Sequence, residues 1–171
     1  MKVALVSPTE LLPHILPFSN YHLILTHKVI YSSKYQAFYR ERSKAGDFII
    51  LDNSAIEKHG RSVPLKDVVL AAILTRPAVV VLPDYLFDSE RTLMEFESAL
   101  RSPQIRFLYR VMPNVKLCAV VHGLDEKDWL KCFDVFNNSN AIDHLGIPKV
   151  TGQIFGNRRR ALEAISKKVR K

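Results

Sequence analysis

The sequence predicts an α/β protein with a parallel sheet and helices outside it, and three observations lead there. Short apolar runs of strand length recur at Phe48-Ile49-Ile50-Leu51, Val79-Val80-Val81-Leu82 and Leu117-Cys118-Ala119-Val120-Val121. They are near-continuous rather than alternating, the pattern of strands buried on both faces. Between them lie stretches with the three-four spacing of one-sided helices, so βα units follow one another along the chain. Five or six such units fit into the 171 residues. A complete (β/α)₈ barrel usually takes about 250 residues. Two architectures remain: an open, doubly wound sheet, or a barrel that lacks its last strands.

Taken in order, residues 2–7 form a first candidate strand, and Pro8, Pro13 and Pro17 break the following segment into a loop with one helical turn at Thr9–Leu12. A second strand covers 22–26. Ser32 caps a helix over Lys34–Lys44 that places Tyr35, Phe38 and Tyr39 on one face. Strand 48–52 follows. Ser62 and Pro64 start the next helix, with Leu65, Val68, Val69, Ala72 and Ile73 on its inner face. After strand 78–82, Asp88 caps a helix burying Leu93, Phe96 and Leu100, which Ser102-Pro103 ends. Strand 116–121 precedes a helix capped by Asp125 with Trp129, Phe133 and Phe136 in register. Asn137 to Asn140 is a turn cluster. Strand 142–147 comes next. A last helix over about 156–169 is expected to bury Ala161, Leu162, Ile165 and Val169.

Composition fits one globular domain over residues 1–171, with 47% hydrophobic and 25% charged residues. The longest apolar run, Val68 to Leu74, is far too short to span a bilayer. The N-terminal segment lacks the long apolar region and cleavage site of a signal peptide. Cys118 on a strand and Cys132 on a helix are unclustered, which argues against a zinc cluster or a disulfide framework. A cytoplasmic setting and no membrane partner are therefore expected. Lys plus Arg is 25 against 17 acidic residues, a net charge of +8 with a pI near 9.6, which raises the prospect of a polyanionic partner such as nucleic acid. Arg158, Arg159 and Arg160, followed by Lys167, Lys168, Arg170 and Lys171, are the candidate cations for a phosphate backbone. They fit a solvated helix face equally well.

Ligands of parallel α/β sheets meet the carboxyl ends of the strands. Asp52, Asp84, His122 and Gly146 all map to that edge, at steps of roughly 25–40 residues that match one βα unit each. Two carboxylates there can hold the N–H groups of a heterocycle, or divide general-acid and general-base roles if their pKa values are split. His122 adds a donor or acceptor, and Gly146 lets backbone approach a flat ligand. The competing structural role for Asp52 and Asp84 is helix capping. No Gly-rich phosphate loop, nucleophile elbow or zinc-protease motif is present, and neither a metal nor a cofactor is expected.

In this order, Leu51-Asp52-Asn53-Ser54-Ala55, Leu82-Pro83-Asp84, Val120-Val121-His122-Gly123 and Leu145-Gly146-Ile147-Pro148 resemble the tRNA-guanine transglycosylase superfamily. The likeness covers about residues 45–150 and is nearest to the phage and bacterial branch that places 7-deazaguanines in DNA. The resemblance implies an incomplete TIM-type (β/α) barrel and a pentosyltransferase-like exchange of guanine for a 7-deazaguanine in DNA or tRNA. It implies a cytoplasmic enzyme, in the host cytoplasm if phage-encoded. Asp52 then resembles the aspartate of proton transfer, Asp84 the one that contacts the purine's amino edge, and Gly146 the glycine whose backbone meets the base. Asn53, His122 and Gly123 complete the implied base-binding set, with His122 where the tRNA enzymes commonly carry Gln. Asn53-Ser54-Ala55 departs from the family's Ser-Gly-Gly, and Ile56 stands where a stacking aromatic is usual.

The family's nucleophilic aspartate lies on a later strand, and its cysteine-rich zinc site follows the barrel; neither has a counterpart here. The expectation is a component that works with another subunit, as a homo- or hetero-oligomer. The alternative is a noncatalytic basic module that kept the fold without the chemistry and binds nucleic acid or a partner.

Overall fold

The computed structural model describes residues 3–15, 17–166 and 168. Five strands, β1 (Tyr21–Leu25), β2 (Phe48–Asp52), β3 (Val79–Val81), β4 (Lys116–Val120) and β5 (His144–Gly146), form one sheet. Every pair is parallel, and the spatial order is the chain order. A doubly wound sheet reverses its strand order at a switch point, and no reversal occurs here. The expected first strand contracts to a single parallel bridge between Leu5 and His22. Val3 and Val6 beside it are 58% and 49% exposed. Lys2 lies outside the described residues.

A 3₁₀ turn at Thr9–Leu11 runs into α1 (Leu12–Ile15). Then come α2 (Thr26–Tyr31), α3 (Ser33–Lys44), α4 (Leu65–Thr75), α5 (Ser89–Arg101), α6 (Pro103–Val111), α7 (Glu126–Asn137), α8 (Thr151–Phe155) and α9 (Arg158–Ile165). The side chains of Ser32, Asp88 and Asp125 accept the amides of Tyr35, Arg91 and Asp128, as capping residues do. Three features of the helices differ from expectation. α2 begins at Thr26, where the second strand was expected to end, and fills a segment for which no helix was expected. Ser102-Pro103 does end α5, but Ser102 Oγ also accepts the Ile105 amide and Pro103 occupies the first turn of α6. The helix expected over 156–169 is broken at Gly156 (φ +77°) into α8 and α9. Ala161 and Ile165 are buried as expected, whereas Leu162 is 51% exposed and belongs to the outer face. Val169 lies outside the described residues.

The sheet has two different faces. Alternate residues Ile24, Ile49, Leu51, Val80, Leu117 and Ala119 join the helices in the main core, with Tyr35, Tyr39, Trp129, Phe133 and Phe136 fully enclosed. The opposite face carries its own cluster of Val79, Val81 and Cys118 packed with Phe48, Ile50, Ala78 and Val120, and no helix residue takes part in it. That face curls into a cleft of about 600 Å³ lined from β1 to β5. Among the described residues no helix is long and apolar enough to cross a membrane.

Candidate functional site

β2 delivers Asp52 to the carboxyl end of this cleft. The strand alternates, so Phe48, Ile50 and Asp52 line the cleft while Ile49 and Leu51 face the helices. The chain then turns sharply. Ser54 takes a left-handed conformation (φ +63°), and its amide donates to Asp52 Oδ2 at 2.8 Å. Thr26 Oγ1 donates to the Asp52 carbonyl at 2.6 Å, and Ser54 Oγ pairs with His27 Nδ1 at 2.9 Å. Burial raises the Asp52 carboxyl to about 7; the Ser54 amide opposes the rise, and the negative charges of Asp84 and Glu57 add to it. Near neutral pH this carboxyl both holds and releases a proton.

Asn53 is buried and fully committed: its Nδ2 donates to the Leu82 carbonyl at 2.6 Å and its Oδ1 accepts the Ala55 amide at 3.0 Å. Its role is to tie the β2 exit to the β3 exit. Asp84 stands two residues past that anchor, with its side chain only 5% exposed. His122 Nε2 pairs with Asp84 Oδ2 at 3.0 Å, while Asp84 Oδ1 is buried and meets no hydrogen-bond partner among the described residues. An acceptor left unmatched in a protein interior costs about 1–3 kcal/mol. Neither Asp52 nor Asp84 caps a helix.

The expected residues are sorted by this geometry. Asp52, Asn53, Asp84, His122 and Gly146 all line the one cleft. A side chain at Gly146 would crowd Val120 Cγ2 at 3.0 Å, so the glycine keeps that end of β5 open. Gly123 is not among the lining residues. A Cβ there would run into the backbone of Trp129, 2.6 Å from its Cα, so Gly123 lets the β4 exit pack on α7. Arg158, Arg159 and Arg160 are exposed on the first turn of α9, and Arg159 pairs with Glu163 at 2.8 Å. Lys168 pairs with Asp134 at 3.1 Å. None of these four cations lines the cleft, and Lys167 lies outside the described residues.

Among the lining residues that go beyond the sequence expectation are Glu57, His144 and Lys149, while Ile56 lines the cleft where the resemblance put a stacking group. His144 is legible from period two, being two residues before Gly146 on β5; Glu57 and Lys149 depend on loop conformation. Cys118 also faces the cleft, but burial first, then Asp52 and Asp84, push its thiol up to about 12. It stays protonated at neutral pH and is a packing residue rather than a nucleophile. His22 is a structural histidine: its Nε2 lies 2.8 Å from Asp47 Oδ2, a carboxylate that Arg42 also clamps. Among the described residues no three His, Cys, Asp or Glu side chains are grouped to hold a metal ion. No family model, curated protein or solved structure matches the chain.

Proposed function

We propose that the cleft binds a guanine-like heterocycle, and that the chain is a component of a base-exchange transglycosylase acting on DNA or tRNA. The observation that carries this reading is the pair of carboxyl groups at one end of an apolar cleft, half-buried Asp52 and buried Asp84. A guanine or 7-deazaguanine presents adjacent ring N–H and amino donors along one edge, and the Asp84 carboxyl at the end of the cleft is the acceptor assigned to them. His122 holds the other Asp84 oxygen at 3.0 Å and so fixes the carboxyl group at the end of the cleft. The apolar walls of Ile50, Val81 and Val120 suit the faces of a flat ring.

Base exchange breaks one N-glycosidic bond and forms another, and the departing base must gain a proton that the incoming base later gives up. A carboxyl poised near 7 is matched to that two-way traffic, and Asp52 is assigned to it. The nucleophile that would hold the sugar is assigned to another subunit. Strands in chain order with helices on one face support an incomplete (β/α) barrel as the scaffold.

Asp84→Ala is expected to reduce binding of 7-deazaguanine by about 10- to 100-fold, the worth of a hydrogen bond to a charged group. Calorimetry of the free base with wild type and variant checks this, and undiminished binding by the variant ends the proposal. Exchange of labelled guanine into DNA and tRNA, with and without a candidate second subunit, then tests the reaction.

A further inference from the structure

A second groove, of about 620 Å³, lies directly behind the wall of the first. The wall consists of the loops leaving β2 and β3, joined by an antiparallel bridge between Arg61 and Tyr85. Ser62 N donates to the Asp84 carbonyl at 3.2 Å and Leu86 N to the Gly60 carbonyl at 2.8 Å. In an extended segment successive side chains point to opposite sides. Asp84 and Leu86 accordingly line the base cleft, while Pro83 and Tyr85 line the second groove. The β2 loop, a turn over 55–60, also serves both sides, with Ile56 and Glu57 on one and Lys58 and Arg61 on the other.

The second groove pairs aromatic rings with cations. Tyr31 is 79% exposed at its edge, Tyr85 forms part of its wall, and the Arg91 guanidinium sits 4.1 Å above the Tyr85 ring. Lys58 and Arg61 have no acidic group within ion-pair distance among the described residues, although Asp67 and Glu95 also line the groove. The wall is pinned by hydrogen bonds, so these groups are held in place rather than carried on a free loop. An exposed ring (Tyr31) beside a half-buried one (Tyr85), with unpaired cations near both, is the equipment of a single-stranded nucleic-acid platform, where rings stack on bases and cations meet phosphates. Arg159 and Lys168, by contrast, are already paired with acidic groups.

We infer that this groove is a nucleotide subsite: Tyr31 and Tyr85 stack a base flanking the target, and Lys58 and Arg61 hold its phosphate. The target base meanwhile reaches Asp84 across the shared wall. The assignment of that target base rests on the function proposed above; the groove's own ligand chemistry does not. The substrate is then a polynucleotide strand rather than a free nucleoside.

Fluorescence anisotropy with a labelled single-stranded 12-mer containing one guanine tests this, with DNA and RNA arms naming the source of the strand. Lys58→Ala/Arg61→Ala is expected to weaken binding at least about tenfold and to make the plot of log affinity against log salt shallower by about 1.4. Tyr31→Ala is expected to cost roughly five- to one-hundred-fold. Arg158→Ala/Arg159→Ala is expected to change neither quantity appreciably. Circular dichroism of each variant confirms that it is folded, and 7-deazaguanine binding by the Lys58→Ala/Arg61→Ala variant is expected to equal wild type. An unchanged salt slope in that variant, a loss borne by the α9 arginines instead, or no oligonucleotide binding by wild type overturns the subsite. If Asp84→Ala keeps full affinity for the free base while the Lys58→Ala/Arg61→Ala variant loses the strand, the subsite stands and the base-binding proposal falls.

Discussion

Asp52 illustrates how one carboxyl can be costly to the fold and useful to the site. In the unfolded chain its pKa is about 3.9, and in the folded protein burial holds it near 7. Between those values the native state keeps a proton that the unfolded state has released, so stability falls as pH rises from about 4 to about 7 and levels off above. A carboxyl raised that far sets a ceiling of about 4 kcal/mol on the loss, and the half-buried position of Asp52 puts the expected loss below it. Asp52→Asn keeps the Ser54 amide bond and removes the titration. Urea unfolding at pH 4.5, 6 and 8 should therefore show a flatter profile for the variant and a gain over wild type at pH 8. Parallel profiles would refute the raised carboxyl. At this same scale the sequence located Asp52, Asp84, His122 and Gly146 because a parallel sheet presents its carboxyl ends together. It did not reveal that Asn53 is spent on Leu82, that Gly123 serves Trp129, or that Asp84 keeps one oxygen bare. Those outcomes depend on side-chain partners distant in the chain.

The elements explain which parts of the fold were legible. Strands showed as apolar runs and helix starts as Ser or Asp caps, and both signals are local. What misled was local too. Pro103 stops one helix and starts another with the same ring, and the apolar run before Pro8 looks like a strand although only Leu5 finds a partner. The continuous apolar run of β2 also concealed that its two faces differ: Ile49 is fully enclosed by helices, while Ile50 lines the cleft. This asymmetry is testable within adjacent residues. Ile49→Asp places an unpaired charge in the helix-facing core and should cost about 4 kcal/mol or more. Ile50→Asp places the same charge against cleft water and should cost less than about 1.5 kcal/mol. Thermal unfolding of the two variants compares them directly, and equal losses would mean that the sheet is covered on both faces.

At the scale of the whole molecule, a sheet wound in one direction has helices on one side and an apolar face on the other. Curvature shelters its middle, where Val79, Val81 and Cys118 are buried. Towards β1 the cover thins: Tyr21, Leu23, Phe48 and Ile50 are only partly buried, with Tyr21 and Phe48 stacked at 4.4 Å. β5 ends the sheet on its other side, and among the described residues it pairs only with β4, so its outer edge is the one at which another strand would add. A partly open apolar face bounded by a free strand edge drives association, because covering both removes apolar surface from water and satisfies the ladder. The 171-residue chain alone is accordingly expected to bind a hydrophobic dye and to sediment as a concentration-dependent mixture in the micromolar range. Leu23→Lys/Ile50→Lys, which charges the cleft face and spares the helix-facing core, should shift that mixture toward monomer. A second chain that completes the sheet should suppress dye binding in wild type. A wild-type protein that remains a dye-free monomer at all concentrations would show that this face is stable in water as it stands, and would remove the physical reason for assigning the nucleophile to another subunit.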